Sequence, residues 1–247
     1  MINDYNRYKF SLKEHIRYSM EGIAVAIILG ILFYQSILGI LIISPMIYFY
    51  RKNKIKDLIS ERKWKLNLEF RDGIIALSAA LEAGYSAENA FEEACKDLKQ
   101  IYQENTMILR EFSYIINQIH MNITVEKALC DFGERTGIED ILSFSEVFST
   151  AKRTGGDLIN VIKITSKIIS DKIEVKREVI TLISAKRMEA NIMKLAPLLI
   201  LIYLSVTSSG FLDPLYHNFL GMIIMTMFLV FYLGSFLLIN KIVAIEV

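Results

Sequence analysis

The sequence predicts an all-α integral membrane protein in which a cytoplasmic helical bundle lies between two transmembrane hairpins. Hydrophobic residues make up 53% of the 247 residues, more than the roughly 45–50% of soluble proteins. Charged residues still amount to 22%, so a polar domain accompanies the membrane segments. Within the polar stretch, apolar residues recur every three or four positions, which is typical of helices rather than strands.

The first apolar block covers residues 23–50, and its main polar interruption is Gln35-Ser36. As one helix, the block would be about 42 Å long at 1.5 Å per residue, against a hydrocarbon core of about 30 Å. As a hairpin, each arm is short for a full span. Lys and Arg flank both sides of the block, and such residues mark the cytoplasmic side. We therefore expect a cytoplasmic segment over residues 1–21, and in residues 22–50 a short hairpin is favoured over a single tilted span.

A second membrane region covers residues 192–209 and 219–239. The short stretch between them contains no Lys or Arg, whereas basic residues precede the first segment and Lys241 follows the second. This pattern predicts a transmembrane hairpin over residues 191–240, with its short loop outside and a cytoplasmic tail at 241–247. Residues 51–190 remain as one cytoplasmic helical domain.

The pattern in residues 51–190 predicts short helices separated by tight corners. One apolar stripe ends at Gly84, and glycine is favoured just past helix ends. Ser86 and Thr124 each precede a new apolar stripe, as helix-capping residues do, and Gly137 follows the helix that begins after Thr124. The residues predicted to face the core are Leu66, Phe70, Ile74, Leu77, Leu81, Ala90, Phe91, Ala94, Leu98, Val125, Ala128, Leu129, Phe132, Ile141, Phe144, Val147, Phe148 and Ala151.

The longest predicted helix begins after the Gly155-Gly156 pair and runs towards the membrane. Asp157 stands at its start, where an acidic cap satisfies free backbone N–H groups. One apolar stripe then follows the helix and is close to a coiled-coil seam. Its members are Leu158, Ile162, Ile169, Ile173, Ile180 and Ile183. If the helix continues to Pro197, it is about 60 Å long.

The Gly155-Gly156 pair is not predicted to bind phosphate. A P-loop needs a second glycine at a fixed distance, followed by a lysine, and "RTGGDLIN" has neither. The acidic Asp157 also stands where an anion would have to bind. We therefore expect a structural corner here and not a nucleotide site.

No catalytic, cofactor-binding or metal-binding residues are predicted. No metal-ligand spacing joins His15, His120 or His217 to cysteines or carboxylates. Cys95 and Cys130 have no CxxC partner, and we expect both to be buried thiols. The net charge is +1, and the basic run after the first apolar block lacks interleaved aromatic residues, so no nucleic-acid partner is expected.

The corners resemble those of the type II secretion F-domain family, the membrane platform proteins of type II secretion systems and type IV pili. "AGYSAENAF" resembles the family corner "sGxSxxxAh", where h is apolar, through Gly84, Ser86, Ala90 and Phe91. "RTGGDLINVI" resembles the later "xxGGxLxxxL" corner through Gly155, Gly156 and Leu158. Asn122 stands where the middle corner often has glycine, and asparagine tolerates a left-handed backbone. The resemblance extends over roughly residues 70–202.

The resemblance implies a non-enzymatic platform with one F domain, similar to the tight-adherence (Tad, Flp pilus) platforms of the B type more than the C type. It implies a cytoplasmic hexameric secretion ATPase, a second F-domain platform protein and pilin subunits as partners. It also implies an oligomer in the cytoplasmic membrane. A membrane signalling or sensor protein with a helical relay domain is the alternative. The predicted outside loop is too small to fold as a ligand-binding domain.

Overall fold

The computed structural model describes residues 5–6, 12–35, 45–154, 157–208, 210–216 and 218–243, and every regular element within these ranges is a helix. The all-α membrane class is therefore confirmed. The helices are α1 (Leu12–Tyr34), α2 (Pro45–Glu82), α3 (Ala87–Ile101), α4 (Met107–His120), α5 (Val125–Thr136), α6 (Glu139–Thr154), α7 (Leu158–Thr207), α8 (Asp213–Tyr216) and α9 (Phe219–Val243).

The chain divides into two compact units. The first unit consists of Met1–Lys9 and Ile55–Val175, and the second of Phe10–Lys54 and Lys176–Val247. Helices α2 and α7 supply residues to both units.

The core of the first unit is built around the apolar face of α2. Leu66, Phe70, Ile74 and Leu77 are completely buried. The Phe70 ring lies edge-on to two other rings, with centroid distances of 6.0 Å to Phe132 and 5.6 Å to Phe144. Burying one such side chain stabilises the fold by about 1.5–3 kcal/mol. The three-and-four spacing of the sequence is thus realised as one face of a central helix.

Two pairs of helices in the first unit approach each other closely at a glycine. A Cβ atom on Gly73 of α2 would lie 2.8 Å from the Phe112 ring of α4. A Cβ atom on Gly133 of α5 would lie 3.2 Å from the Cα of Leu142 in α6. Glycine at these two positions allows α2 to pack against α4 and α5 against α6.

The second unit contains α1, the later part of α7, and α9. Among the described residues, three segments are long and apolar enough to cross a membrane: Leu12–Tyr34, the helix Leu158–Thr207, and Phe219–Ile239. The Tyr34 hydroxyl of α1 lies 2.9 Å from the Thr226 hydroxyl of α9, and Tyr216 of the short helix α8 donates to the backbone oxygen of Leu32 in α1 at 2.7 Å.

The first apolar segment begins earlier than the hydropathy pattern suggested. Helix α1 starts at Leu12 and ends at Tyr34, and Gln35 follows with a φ of +43°. The next helix starts at Pro45, while residues 36–44 lie outside the described ranges. The hairpin expected over residues 22–50 therefore stays a prediction.

Candidate functional site

The corner after α2 is formed by two backbone hydrogen bonds. Gly84 has a φ of +92°. Its N–H donates to the oxygen of Leu81 at 3.0 Å, and the N–H of Tyr85 donates to the oxygen of Ala80 at 3.2 Å. This pair of bonds is the Schellman ending of a helix. No atom lies within 4 Å of a Cβ added at Gly84, so the positive φ alone is what favours glycine there.

The corner after α4 has the same hydrogen-bond pattern without a glycine. Asn122 has a φ of +61°. Its N–H donates to the oxygen of Ile119 at 2.9 Å, and the N–H of Ile123 donates to the oxygen of Gln118 at 3.0 Å. Asparagine therefore occupies the left-handed position that glycine occupies at the first corner.

The helices that leave these corners begin at capping residues. The Ser86 hydroxyl accepts a hydrogen bond from the N–H of Asn89 at 3.3 Å, and the Asp157 carboxylate accepts one from the N–H of Asn160 at 3.1 Å. Thr124 is the N-cap residue of α5, as predicted, with extended backbone angles, although its side chain makes no capping hydrogen bond. Ala90 is completely buried and Leu158 packs partly against the core.

Lys152, in the last turn of α6, joins the starts of two helices. Its Nζ lies 3.2 Å from Glu88 in the first turn of α3 and 3.4 Å from Glu126 in the first turn of α5. Lys163 of α7 also lies 3.2 Å from Glu82, just before the first corner. The corners near residues 83–86 and 121–124, the end of α6 and the start of α7 therefore lie together at one end of the first unit, here called the corner end.

The pKa of the Glu88 carboxyl is lowered, first by a hydrogen bond from its own backbone N–H and then by Lys152. Both causes favour the charged form of the carboxyl. The negative charge also complements the positive N-terminus of α3.

The predicted corner at Gly137 does not lie at the corner end. Gly137, with a φ of +56°, ends α5 at the opposite end of that helix. Its carbonyl oxygen accepts from Lys63 at 3.3 Å, and Lys63 also donates to Asn6 at 2.6 Å. Gly155 and Gly156 lie outside the described residues.

Comparison with known families decides what this bundle is. The sequence model of the family "Type II secretion system (T2SS), protein F" matches residues 74–206, more than half of the 247 residues. The chain belongs to this family. Comparisons with curated proteins and with solved structures returned no match. Proteins of the T2SS protein F family are non-catalytic membrane platforms, so the chain is a platform of the general type II secretion and type IV pilus kind.

The matched region of this T2SS protein F family member takes in most of the helical bundle and the apolar part of α7. It includes Gly84, Ser86, Ala90, Gly137, Asp157 and Leu158. The resemblance inferred from the corner motifs is thus confirmed at the level of the family. The match does not separate one kind of platform from another.

The first unit contains a buried polar network that no sequence pattern predicts. The Tyr5 hydroxyl donates to Glu111 at 2.8 Å, and the Arg135 guanidinium donates to the other oxygen of Glu111 at 2.7 Å. The Arg62 guanidinium lies 4.6 Å from the centre of the Tyr5 ring. Burial, followed by the negative charge of Glu111, raises the pKa of Tyr5. The network holds Tyr5 against helices α2, α4 and α5.

The titratable residues of the platform are not gathered into a metal site in the part of the chain that the structure describes. His120 makes a 2.8 Å contact with Glu92, and His217 lies outside the described residues. Cys95 is buried, but Cys130 is exposed. The expectation of two buried thiols is therefore wrong for Cys130, which lies on the solvent face of α5 while Leu129 faces the core.

Proposed function

We propose that this platform protein assembles a Tad (Flp) type pilus in the cytoplasmic membrane, and that it couples a hexameric secretion ATPase to the extraction of pilin subunits. The family match over residues 74–206 carries the proposal. The chain is proposed to have no catalytic activity of its own. A second F-domain platform protein is its expected partner, and the B type of platform is favoured over the C type.

The orientation follows from the basic residues. Lys and Arg precede and follow the first apolar segment, precede the second and follow the third, and the residues between the last two spans include neither. Basic flanks stay on the cytoplasmic side. The first unit is therefore assigned to the cytoplasm, where it meets the ATPase.

Helix α7 is the element proposed to carry motion. Its 50 residues correspond to about 75 Å at 1.5 Å per residue. It starts at the corner end behind the Asp157 cap, and its last part is a candidate membrane span. Pro197 lies inside the helix, where a proline removes one backbone hydrogen bond and favours a bend. A displacement of the corner end would reach the membrane segment along one continuous helix.

The corner end is the surface proposed to receive the ATPase. Exposed apolar side chains lie beside its two corners and at the start of α7: Tyr85 is 45% exposed, Met121 73% and Ile159 42%. Apolar patches with a polar rim mark protein-binding surfaces, and these three side chains are proposed to form such a patch. Glu88, Glu126 and Lys152 provide the surrounding charge.

The test is a deletion strain of the source organism, complemented with variants of the full chain. Wild-type protein should restore surface filaments and should retain the ATPase on purification from membranes. Met121→Glu should lower both, because it places a charge in the proposed contact surface. Ile101→Glu is the matched control, since Ile101 is 69% exposed and ends α3 away from the corner end. Filaments that persist in the deletion strain would refute the platform role.

Equal ATPase retention by the Met121→Glu and Ile101→Glu variants would refute the docking surface alone. The platform role would then stand on the filament readout.

A further inference from the structure

Helix α7 has a second apolar stripe that the core of the first unit does not use. Ile162, Ile169 and Ile173 are at most 5% exposed and face the core. Ile164, Ile168 and Val175 are 50%, 60% and 59% exposed. At 3.6 residues per turn, the two stripes are separated by about 140° around the helix axis.

The second stripe repeats every seven residues and begins at Val161, which is half-buried. Val161, Ile168 and Val175 are spaced by seven, and Ile164 follows Val161 by three. These are the a and d positions of a heptad, the pattern that packs one helix against another. Asp171 occupies the next d position. Val161, Ile164, Ile168, Asp171 and Val175 are called the outer seam below.

Asp171 sets the charge of the outer seam. Its carboxylate is exposed and has no hydrogen bond or ion pair among the residues that the structure describes. The neighbouring Lys172 is already engaged, since its Nζ lies 2.7 Å from Asp140. A carboxylate between Ile168 and Val175 would be costly to cover with an apolar surface. A helix that covers the seam must therefore place a basic side chain opposite Asp171.

A second copy of the chain does not meet that requirement. Two copies inserted in one membrane have the same orientation, so their α7 helices would run parallel. In a parallel, in-register pair, each Asp171 would face the other Asp171, because d positions meet d positions. Lys167 and Lys172 occupy the g and e positions, so they would also face each other across the pair. Like charges at both places disfavour self-association.

We infer that the outer seam is the docking site for a parallel helix of a different protein, with apolar heptad positions and a Lys or Arg opposite Asp171. An acidic residue at the e position of that helix would complement Lys167. The inference rests on the proposed function for the common membrane orientation, and it adds to that function the surface and the charge pattern of a partner.

The test begins with photo-crosslinking in membranes of the source organism. p-Benzoyl-phenylalanine is placed in the full chain at Ile168, and at Arg177 as the control. Arg177 is exposed and occupies the c position of the heptad that begins at Val175, on the side of α7 opposite the outer seam. The Ile168 probe should link to one other protein, through a peptide with apolar heptad spacing and a basic residue, and the Arg177 probe should not. Links to a second copy, to lipid alone or to nothing would overturn the inference.

Charge reversal then tests the role of Asp171. Asp171→Lys should lower the crosslinking yield from Ile168 by about tenfold, which corresponds to roughly 1.4 kcal/mol. Reversal of the partner's base to Glu should restore the yield in the same strain. Asp171→Asn, which removes the charge and leaves the side-chain volume almost unchanged, should lower the crosslinking yield by less. An unchanged yield with Asp171→Lys would overturn the inference.

The crosslink does not depend on filament formation, so the two proposals can fail separately. Normal crosslinking in cells whose filaments do not require this chain would refute the platform role and leave the seam assignment intact. Filament loss on deletion, without a crosslink from Ile168, would refute the seam assignment and leave the platform role intact.

Discussion

Glu69 of α2 accepts a hydrogen bond at 3.1 Å from the backbone N–H of Ile108 in the first turn of α4. The residue at the N-cap of α4 itself, Thr106, makes no side-chain capping bond. The start of α4 is thus capped by a carboxylate from another helix, and Glu69 is only 3% exposed. One side chain satisfies a helix end and fixes the packing of α2 against α4.

Removing this carboxylate should destabilise the first unit. Glu69→Ala leaves a buried backbone N–H without a protein partner, and we expect a loss of about 1–3 kcal/mol in the free energy of unfolding. The measurement is chemical unfolding of the full-length protein in detergent, followed by circular dichroism. Glu104→Ala, at an exposed position, is the control. Equal losses in the two variants would contradict the cap.

Glu69 should also give stability a specific pH dependence. Burial raises its pKa above the ordinary value of about 4.5, although hydrogen bonds from Ile108 and Met107 oppose the shift. The native state therefore binds this proton more tightly than the unfolded chain, so its contribution falls as the pH rises from about 4.5 through the raised pKa. Glu69→Gln does not titrate. Its stability relative to wild type should increase over that window, and a constant difference would count against the assignment.

The close approach at Gly73 predicts a large effect from one methyl group. In Gly73→Ala, the new Cβ would lie 2.8 Å from the Phe112 ring, which is buried and packs on Phe91 at a centroid distance of 5.4 Å. Overpacking costs about 1–3 kcal/mol, against a gain in helix propensity of at most about 1 kcal/mol. We expect a lower melting temperature. Gly234→Ala, with no atom within 4 Å of the new Cβ, should not lower it.

The left-handed residue at the second corner should tolerate glycine and reject a branched side chain. Asn122→Val should lower the free energy of unfolding by about 1–2 kcal/mol, because a β-branched residue disfavours a φ of +61°. Asn122→Gly should change it by much less. Met121→Val, one residue earlier with a φ of −86°, is the matched control. A loss as large at Met121 as at Asn122 would show that volume and not backbone angle is decisive.

Lys152 should contribute modestly, and its contribution should depend on salt. Its side chain is 30% exposed and lies near Glu88 and Glu126. Screening at such a site limits the loss in Lys152→Met to about 1 kcal/mol or less. A double-mutant cycle with Glu88→Gln at low and high salt measures the coupling. A coupling energy that does not decrease at high salt would contradict an electrostatic role.

The sequence predicts the features that depend on hydrophobic periodicity and on the local chemistry of the helix ends. The stripe of Leu66, Phe70 and Ile74 on α2 faces the core, because residues three and four apart share one side of a helix. The all-α class and the family follow from such stripes and from the corner motifs. Val147 is predicted to face the core but is half-buried. It lies at the edge of its apolar stripe, where the packing of the neighbouring helix determines burial and the spacing does not.

The sequence could not predict contacts that depend on distant residues. Helix α4 was not assigned, and its cap comes from Glu69, 39 residues earlier. The bonds from Tyr5 and Arg135 to Glu111, and the bond from Asn67 to Asp140, join charged or polar residues whose burial has no local pattern. The ion pairs of Lys152 with Glu88 and Glu126 at the corner end also join residues that are distant in the sequence. Only the arrangement of the helices shows which polar residues meet.

The bond between Tyr5 and Glu111 imposes an order on biosynthesis. The two residues are 106 positions apart, so at ribosomal speeds of about 5–20 residues per second, Tyr5 waits roughly 5–20 seconds before Glu111 exists. Helices α1, α2 and α3 and the start of α4 are translated in that interval. Tyr5 can therefore reach its native position only after three complete helices that follow it have been translated.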